Sequence, residues 1–120
     1  MLEPNEIFAL LDSKINSGET EYLKIIHDSQ PYAKLDLWYI ETSMHGDKIE
    51  VDNPTNLCIY DLVFNYLLDK YGENEVDIII PRGVLSERTG VEIFVKNLYV
   101  LCVPYGFSSR IYDWISKINR

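Results

Sequence analysis

The spacing of apolar residues changes several times along this 120-residue chain. Over residues 4–17 and 56–71, apolar side chains recur at every third or fourth position, which is the period of an amphipathic helix. Over residues 34–42 and 91–104 they alternate with polar residues or form short apolar runs, which is typical of β-strands. Because the chain switches between the two periods, the sequence predicts an α+β fold.

Turn and cap residues set the bounds of these segments. Pro4 suits the first turn of a helix, and Gly18 is placed to end it. Thr55 is the expected N-cap of the helix that Gly72 ends. A hairpin turn is predicted at Lys96–Asn97.

Two shorter helices complete the prediction, one from Thr20 to Pro31 and one that starts at Ser108 or Ser109. The predicted order of elements is α-α-β-β-α-β-β-β-α, with residues 1–120 forming one domain. We expect its strands to form one five-stranded sheet, antiparallel or mixed, covered by helices. The predicted strands are residues 34–42, 48–51, 76–81, 91–96 and 98–104.

Acidic residues outnumber basic ones, and the two are unevenly distributed. The net charge is −8, but residues 1–80 alone hold sixteen carboxylates against five lysines, and residues 81–120, with all four arginines, sum to +3. This charge disfavours direct binding of duplex nucleic acid and favours a basic protein partner. The carboxylates chosen as a candidate acidic face are Glu41, Asp47, Glu50, Asp52, Glu73 and Glu75.

The loop over residues 81–90 joins two apolar strands and is longer than a tight hairpin requires. Its two glycines flank arginine and hydroxyl donors that suit an anion or a carboxylate of a partner. It lacks the GK[ST] ending of a nucleotide-binding P-loop. The candidate binding residues in this loop are Arg82, Ser86, Arg88 and Thr89.

A second candidate contact surface precedes the last helix. The chain has nine tyrosines and two tryptophans, residue types that bury much area at interfaces and keep a polar end. Tyr105, Phe107 and Arg110 combine aromatic and cationic side chains within six positions. We therefore include them among the binding residues.

Metal and cofactor chemistry is not predicted. Cys58 and Cys102 lie far apart with no CxxC motif, so four zinc ligands are not available at the usual spacing. Asp77, Glu92 and Lys96 are of the types found in metal-dependent nucleases. The spacing of four between Glu92 and Lys96 would, however, separate their Cα atoms by about 13 Å along a strand.

Other features of the sequence concern where such a protein is found. No apolar run approaches 18 residues and the N-terminal segment is acidic, so we expect a cytoplasmic protein that does not associate with membranes. Isoleucine occurs fourteen times, asparagine eight times and alanine only twice. This usage of AT-rich codons points to a low-GC bacterium, a phage or a virus.

The leading functional hypothesis is a small protein-binding domain of the inhibitor, immunity or adaptor type. Its partner would be basic or would handle nucleic acid, because an acidic surface attracts such proteins. The alternative is a small hydrolase or a nucleotide-binding protein that uses the 81–90 loop. A homo-oligomer formed through an exposed edge strand is a third hypothesis.

Overall fold

The computed structural model describes residues 1–18, 23–29, 36–79, 90–104, 111, 113 and 114. Helices and strands are both present, which confirms the predicted α+β class. The elements are α1 (Pro4–Ser17), β1 (Lys24–Ser29), β2 (Asp36–Glu41), β3 (Lys48–Val51), α2 (Ile59–Tyr71), β4 (Val76–Ile79), β5 (Val91–Val95) and β6 (Leu98–Val103).

The chain divides into an N-terminal unit, Met1–Asn56, and a C-terminal unit, Leu57–Arg120. Among the described elements of each unit, a long helix precedes three strands, and successive strands pair antiparallel with each other. The first sheet has the order β1-β2-β3 and the second sheet the order β4-β5-β6. The prediction of one five-stranded sheet is therefore wrong, whereas a single domain over residues 1–120 stays a prediction.

The predicted second helix is also wrong, because residues 24–29 form the strand β1. Ile25 lies opposite Ile40 of β2, and both side chains are buried. The adjacent apolar residues Ile25 and Ile26 fit the period of either element over so short a segment. Pairing with β2 supplies backbone partners and a β-branched neighbour, which favours the strand.

The two long amphipathic helices are confirmed, with a change at the start of α2. Its N-cap is Cys58 rather than Thr55, because the Thr55 hydroxyl donates a 2.7 Å hydrogen bond to Oδ1 of Asn53. Leu57 precedes the helix and is 51% exposed, although its spacing placed it on the buried face. The buried residues of α2 are Ile59, Tyr60, Val63, Phe64 and Leu67.

The hairpin of β5 and β6 turns at Lys96–Asn97, as predicted. Their φ angles of 52° and 65° are those of the two-residue turn whose twist matches that of the flanking strands. The pairing register shifts between Ile93 and Phe94, so one extra residue of β6 bulges from the ladder. Consequently the consecutive residues Val100 and Leu101 are both buried.

The predicted last helix falls largely outside the described residues. Within it, Ile111, Asp113 and Trp114 have helical backbone, and Ile111 is buried. The rings of Phe64 and Trp114 meet edge to face with centroids 6.1 Å apart. This contact joins α2 to the end of the same unit.

Candidate functional site

One face of the second sheet carries partly exposed aromatic, aliphatic and acidic side chains. Residues directly opposite each other in adjacent strands project from the same face, so the pairing register assigns its members. We call these six residues the outer face. They form two cross-strand rows, Ile79–Glu92–Cys102 and Asp77–Phe94–Tyr99.

The outer face is open to solvent over part of its area. Ile79 is 47% exposed and Tyr99 is 41% exposed, while Asp77 is also exposed. Phe94 is half-buried, and its ring meets that of Tyr99 edge to face with centroids 5.6 Å apart. Ile79 and Tyr99 lie on the two outer strands β4 and β6, with the half-buried Phe94 of β5 between those strands.

The ionisable groups of the outer face are all acids. Burial, with the acidic groups of Cys102 and Glu92 nearby, raises the pKa of Tyr99 to about 12. Its phenol is therefore neutral at physiological pH. Asp77 and Glu92 lie diagonally across β4 and β5, which places their Cβ atoms somewhat less than about 7–8 Å apart. No lysine or arginine is among the six residues, so the outer face has an acidic character.

The first sheet brings two of the predicted acidic residues onto one face, but there they lie among lysines. Glu41 is opposite Lys24 of β1 and opposite Lys48 of β3. Glu50 lies two positions beyond Lys48 on the same strand and projects from the same face. The exposed Asp28 of β1 shares this face, so two lysines offset two of its three carboxylates.

The other predicted acidic residues lie in connecting segments. Asp47 closes the turn between β2 and β3, where its carboxylate accepts a 3.0 Å hydrogen bond from Oγ of Ser43. Asp52 follows β3, and its backbone N–H joins the N-terminal residues to that strand. Glu73 and Glu75 lie between α2 and β4. All four carboxylate residues are exposed.

Lys70 and Lys96 of the C-terminal unit lie against tyrosine rings. Nζ of Lys70 is 5.7 Å from the ring centroid of Tyr66 and 3.2 Å from its hydroxyl oxygen. Nζ of Lys96 is 5.4 Å from the ring centroid of Tyr71. Lys96 thus lies in the hairpin turn and against α2, whereas Glu92 is on the outer face.

Among the described residues no group of three His, Cys, Asp or Glu side chains is arranged to hold a metal ion.

Neither Cys58 nor Cys102 forms a disulfide, and both are half-buried. Burial is the main cause that raises the pKa of the Cys58 thiol, and the nearby Asp61 carboxylate acts in the same direction. Backbone N–H groups of Tyr60 and Asp61 oppose this effect, as expected at a helix N-terminus. The raised pKa keeps Cys58 in its unreactive thiol form at neutral pH.

The predicted binding residues of the 81–90 loop and of the junction before the last helix lie outside the described residues. Gly90, at the end of that loop, is described and buried. Its φ is +125°, and a Cβ placed there would overlap the carbonyl oxygen of Val103 and lie 2.8 Å from Cα of Pro104. Gly90 therefore serves close backbone packing. The predicted binding residues that lie outside the described part of the chain are Arg82, Ser86, Arg88, Thr89, Tyr105, Phe107 and Arg110.

Sequence reasoning missed the outer face as a surface. Asp77 and Glu92 drew attention as possible metal ligands, and Asp77 also as one of the sixteen carboxylates of residues 1–80, but neither was placed on one face with Phe94 and Tyr99. The alternation of β5 contains a usable indication, because Glu92 and Phe94 occupy the positions between the buried Val91, Ile93 and Val95. An aromatic residue at such a position indicates a binding face.

Comparison with known proteins gives no relative from which a role could be transferred. No protein-family model matches the chain, and no curated protein or solved structure does so either. Within the part of the chain that the structure describes, neither helix is long and apolar enough to cross a bilayer.

Proposed function

We propose that this chain is a small acidic protein-binding domain of the inhibitor, immunity or adaptor type. Its partner is a basic protein or one that handles nucleic acid. The observation that carries the proposal is the exposure of carboxylates in both units. Asp47, Glu50 and Asp52 are exposed in the N-terminal unit, and Glu73 and Glu75 in the C-terminal unit.

Exposed carboxylates act on a partner before contact is made. A net charge of −8 creates a field that draws a cationic protein toward the chain and orients its approach. Electrostatic steering of this kind raises association rates by about tenfold to a thousandfold at low salt. The gain lies mostly in the rate of association and in the choice of partner rather than in affinity.

Competition with nucleic acid follows from the same charge. A protein that binds phosphates presents lysines and arginines, and a protein surface rich in carboxylates offers them alternative partners. A domain of this kind can occupy such a site without containing nucleic acid itself. This supports a nucleic-acid-handling protein as one kind of partner.

The experiment is to purify the tagged full chain from the cells that encode it and to identify proteins recovered in stoichiometric amount. We expect a partner with an excess of lysine and arginine, whose association rate falls when Glu73→Gln and Glu75→Gln are combined. The matched control combines Asn5→Gln with Asn56→Gln, which changes two exposed residues and leaves the charge unaltered. Recovery of no stoichiometric partner, or equal rates for both variants, would overturn the proposal.

A further inference from the structure

We propose that the outer face of the second sheet is the contact surface for a segment that carries arginine side chains on a partner protein. The inference rests on the proposed function and names the surface and the chemistry that the partner presents. It is carried by the two cross-strand rows, each of which holds one carboxylate beside uncharged groups: Ile79 and Cys102 in one row, Phe94 and Tyr99 in the other.

The distribution of charge distinguishes this surface from the corresponding one in the first sheet. There, Glu41 lies between Lys24 and Lys48 in the pairing register. On the outer face, Asp77 and Glu92 have no lysine or arginine at any of the six positions. A cationic partner is therefore attracted to the outer face of the second sheet, whereas on the first sheet the two lysines oppose its approach.

The aromatic residues select arginine over lysine. Phe94 and Tyr99 are neighbours with centroids 5.6 Å apart, and Tyr99 is 41% exposed. A planar guanidinium stacks on such rings and at the same time donates paired hydrogen bonds to a carboxylate. Asp77 lies in the same cross-strand row as both rings. An ammonium group lacks the flat fork needed for both contacts at once.

A second copy of this chain is a poorer occupant. Two outer faces brought together would place Asp77 and Glu92 of one chain near those of the other, and each chain has a net charge of −8. Like charges brought together across an interface oppose association. The exposed Ile79 supplies apolar area that the stems of arginine side chains can cover.

The test uses the full chain with two fluorescein-labelled peptides of equal length, one alternating arginine with glycine and the other lysine with glycine. Fluorescence anisotropy gives the affinities, and amide chemical shifts locate the contact. We expect the arginine peptide to bind more tightly and to shift residues of β4, β5 and β6. Asp77→Asn combined with Glu92→Gln should weaken it by about tenfold, as expected for the loss of two charge-assisted contacts.

The matched control is Asp28→Asn combined with Asp69→Asn, which removes the same charge from exposed positions of β1 and α2. It should weaken binding by less than about threefold, since it alters only the long-range field. Should the acidic double variant lose its fold, Tyr99→Leu replaces it and should abolish the preference for arginine. The outer face is not the contact surface if the two double variants lose the same affinity for the arginine peptide. The same conclusion follows if both peptides bind equally well or if neither peptide binds. The proposed function would survive any of these results if a basic partner is still recovered from cells.

Discussion

Replacing Gly90 by alanine tests the close packing that holds the start of β5 beside the end of β6. A Cβ at this position would overlap the carbonyl oxygen of Val103 and lie 2.7 Å from the carbonyl carbon, at a φ of +125°. The obstacle is backbone, which cannot move aside as a flexible side chain can. Substitution must therefore displace β5 from β6, and with it the rows of the outer face.

The size of the effect follows from two contributions. Holding a residue other than glycine in a sparsely populated region of positive φ costs about 1–3 kcal/mol, and overpacking against fixed atoms adds about 1–3 kcal/mol. Gly72 provides the matched control in the same unit, because its φ is +84° but nothing lies within 4 Å of its Cβ position. Gly72→Ala should therefore carry only the first contribution. The gain from a less flexible unfolded chain is the same in both variants.

Urea unfolding followed by circular dichroism measures the difference. We expect Gly90→Ala to lower the free energy of unfolding by about 1–3 kcal/mol more than Gly72→Ala does. That is a large fraction of the total for a domain, which is about 5–15 kcal/mol. If the two variants lose the same stability, Gly90 does not approach Val103 as described and the register of β5 with β6 is in error.

Three further predictions concern ionisation and ligands. The pKa of Tyr99 is raised to about 12 and that of Tyr60 is raised by burial, so the unfolded chain releases these protons at lower pH than the folded chain does. The free energy of unfolding should therefore fall as the pH rises above 10 toward 12. Tyr99→Phe should make this fall shallower in alkaline unfolding curves, and an unchanged slope would contradict the raised pKa. Cys58 should react with iodoacetamide more slowly at pH 8 than a free cysteine does, because burial raises its pKa; labelling at the rate of the free amino acid would be inconsistent with that burial. Nucleotides, with or without Mg²⁺, should leave the melting temperature of the chain unchanged. A nucleotide-induced rise in melting temperature that disappears in the double variant Arg82→Ala and Arg88→Ala would instead favour the alternative ligand-binding function.

Local signals in the sequence predicted the elements whose structure depends on local interactions. The long helices α1 and α2 follow from apolar spacing and end residues. The turn at Lys96–Asn97 follows from its place between two apolar strand segments, and its Asn97 is of a type that tolerates positive φ. The strand β1 was missed because its assignment depends on pairing with β2, a contact between segments apart in sequence. Periodicity over a few apolar residues cannot report such a contact.

The arrangement into two sheets escaped prediction for the same reason. The content and order of strands do not determine which strands pair, because local preferences carry no information about partners farther along the chain. The outer face is assembled from three strands that span residues 77–102, and the shifted register between Ile93 and Phe94 decides which residues of β6 join it. The sequence identifies the acidic residues, but only the pairing register of the strands shows which side chains lie beside them.

The most direct test of the acidic binding function is the association rate of the full chain with its purified partner as a function of salt. Between about 0.01 M and about 1 M salt the screening length falls from about 30 Å to about 3 Å, so steering by the chain's charge is progressively removed. We predict that the association rate constant falls steeply over this range while the dissociation rate constant changes little. An association rate that is independent of salt would contradict the proposal.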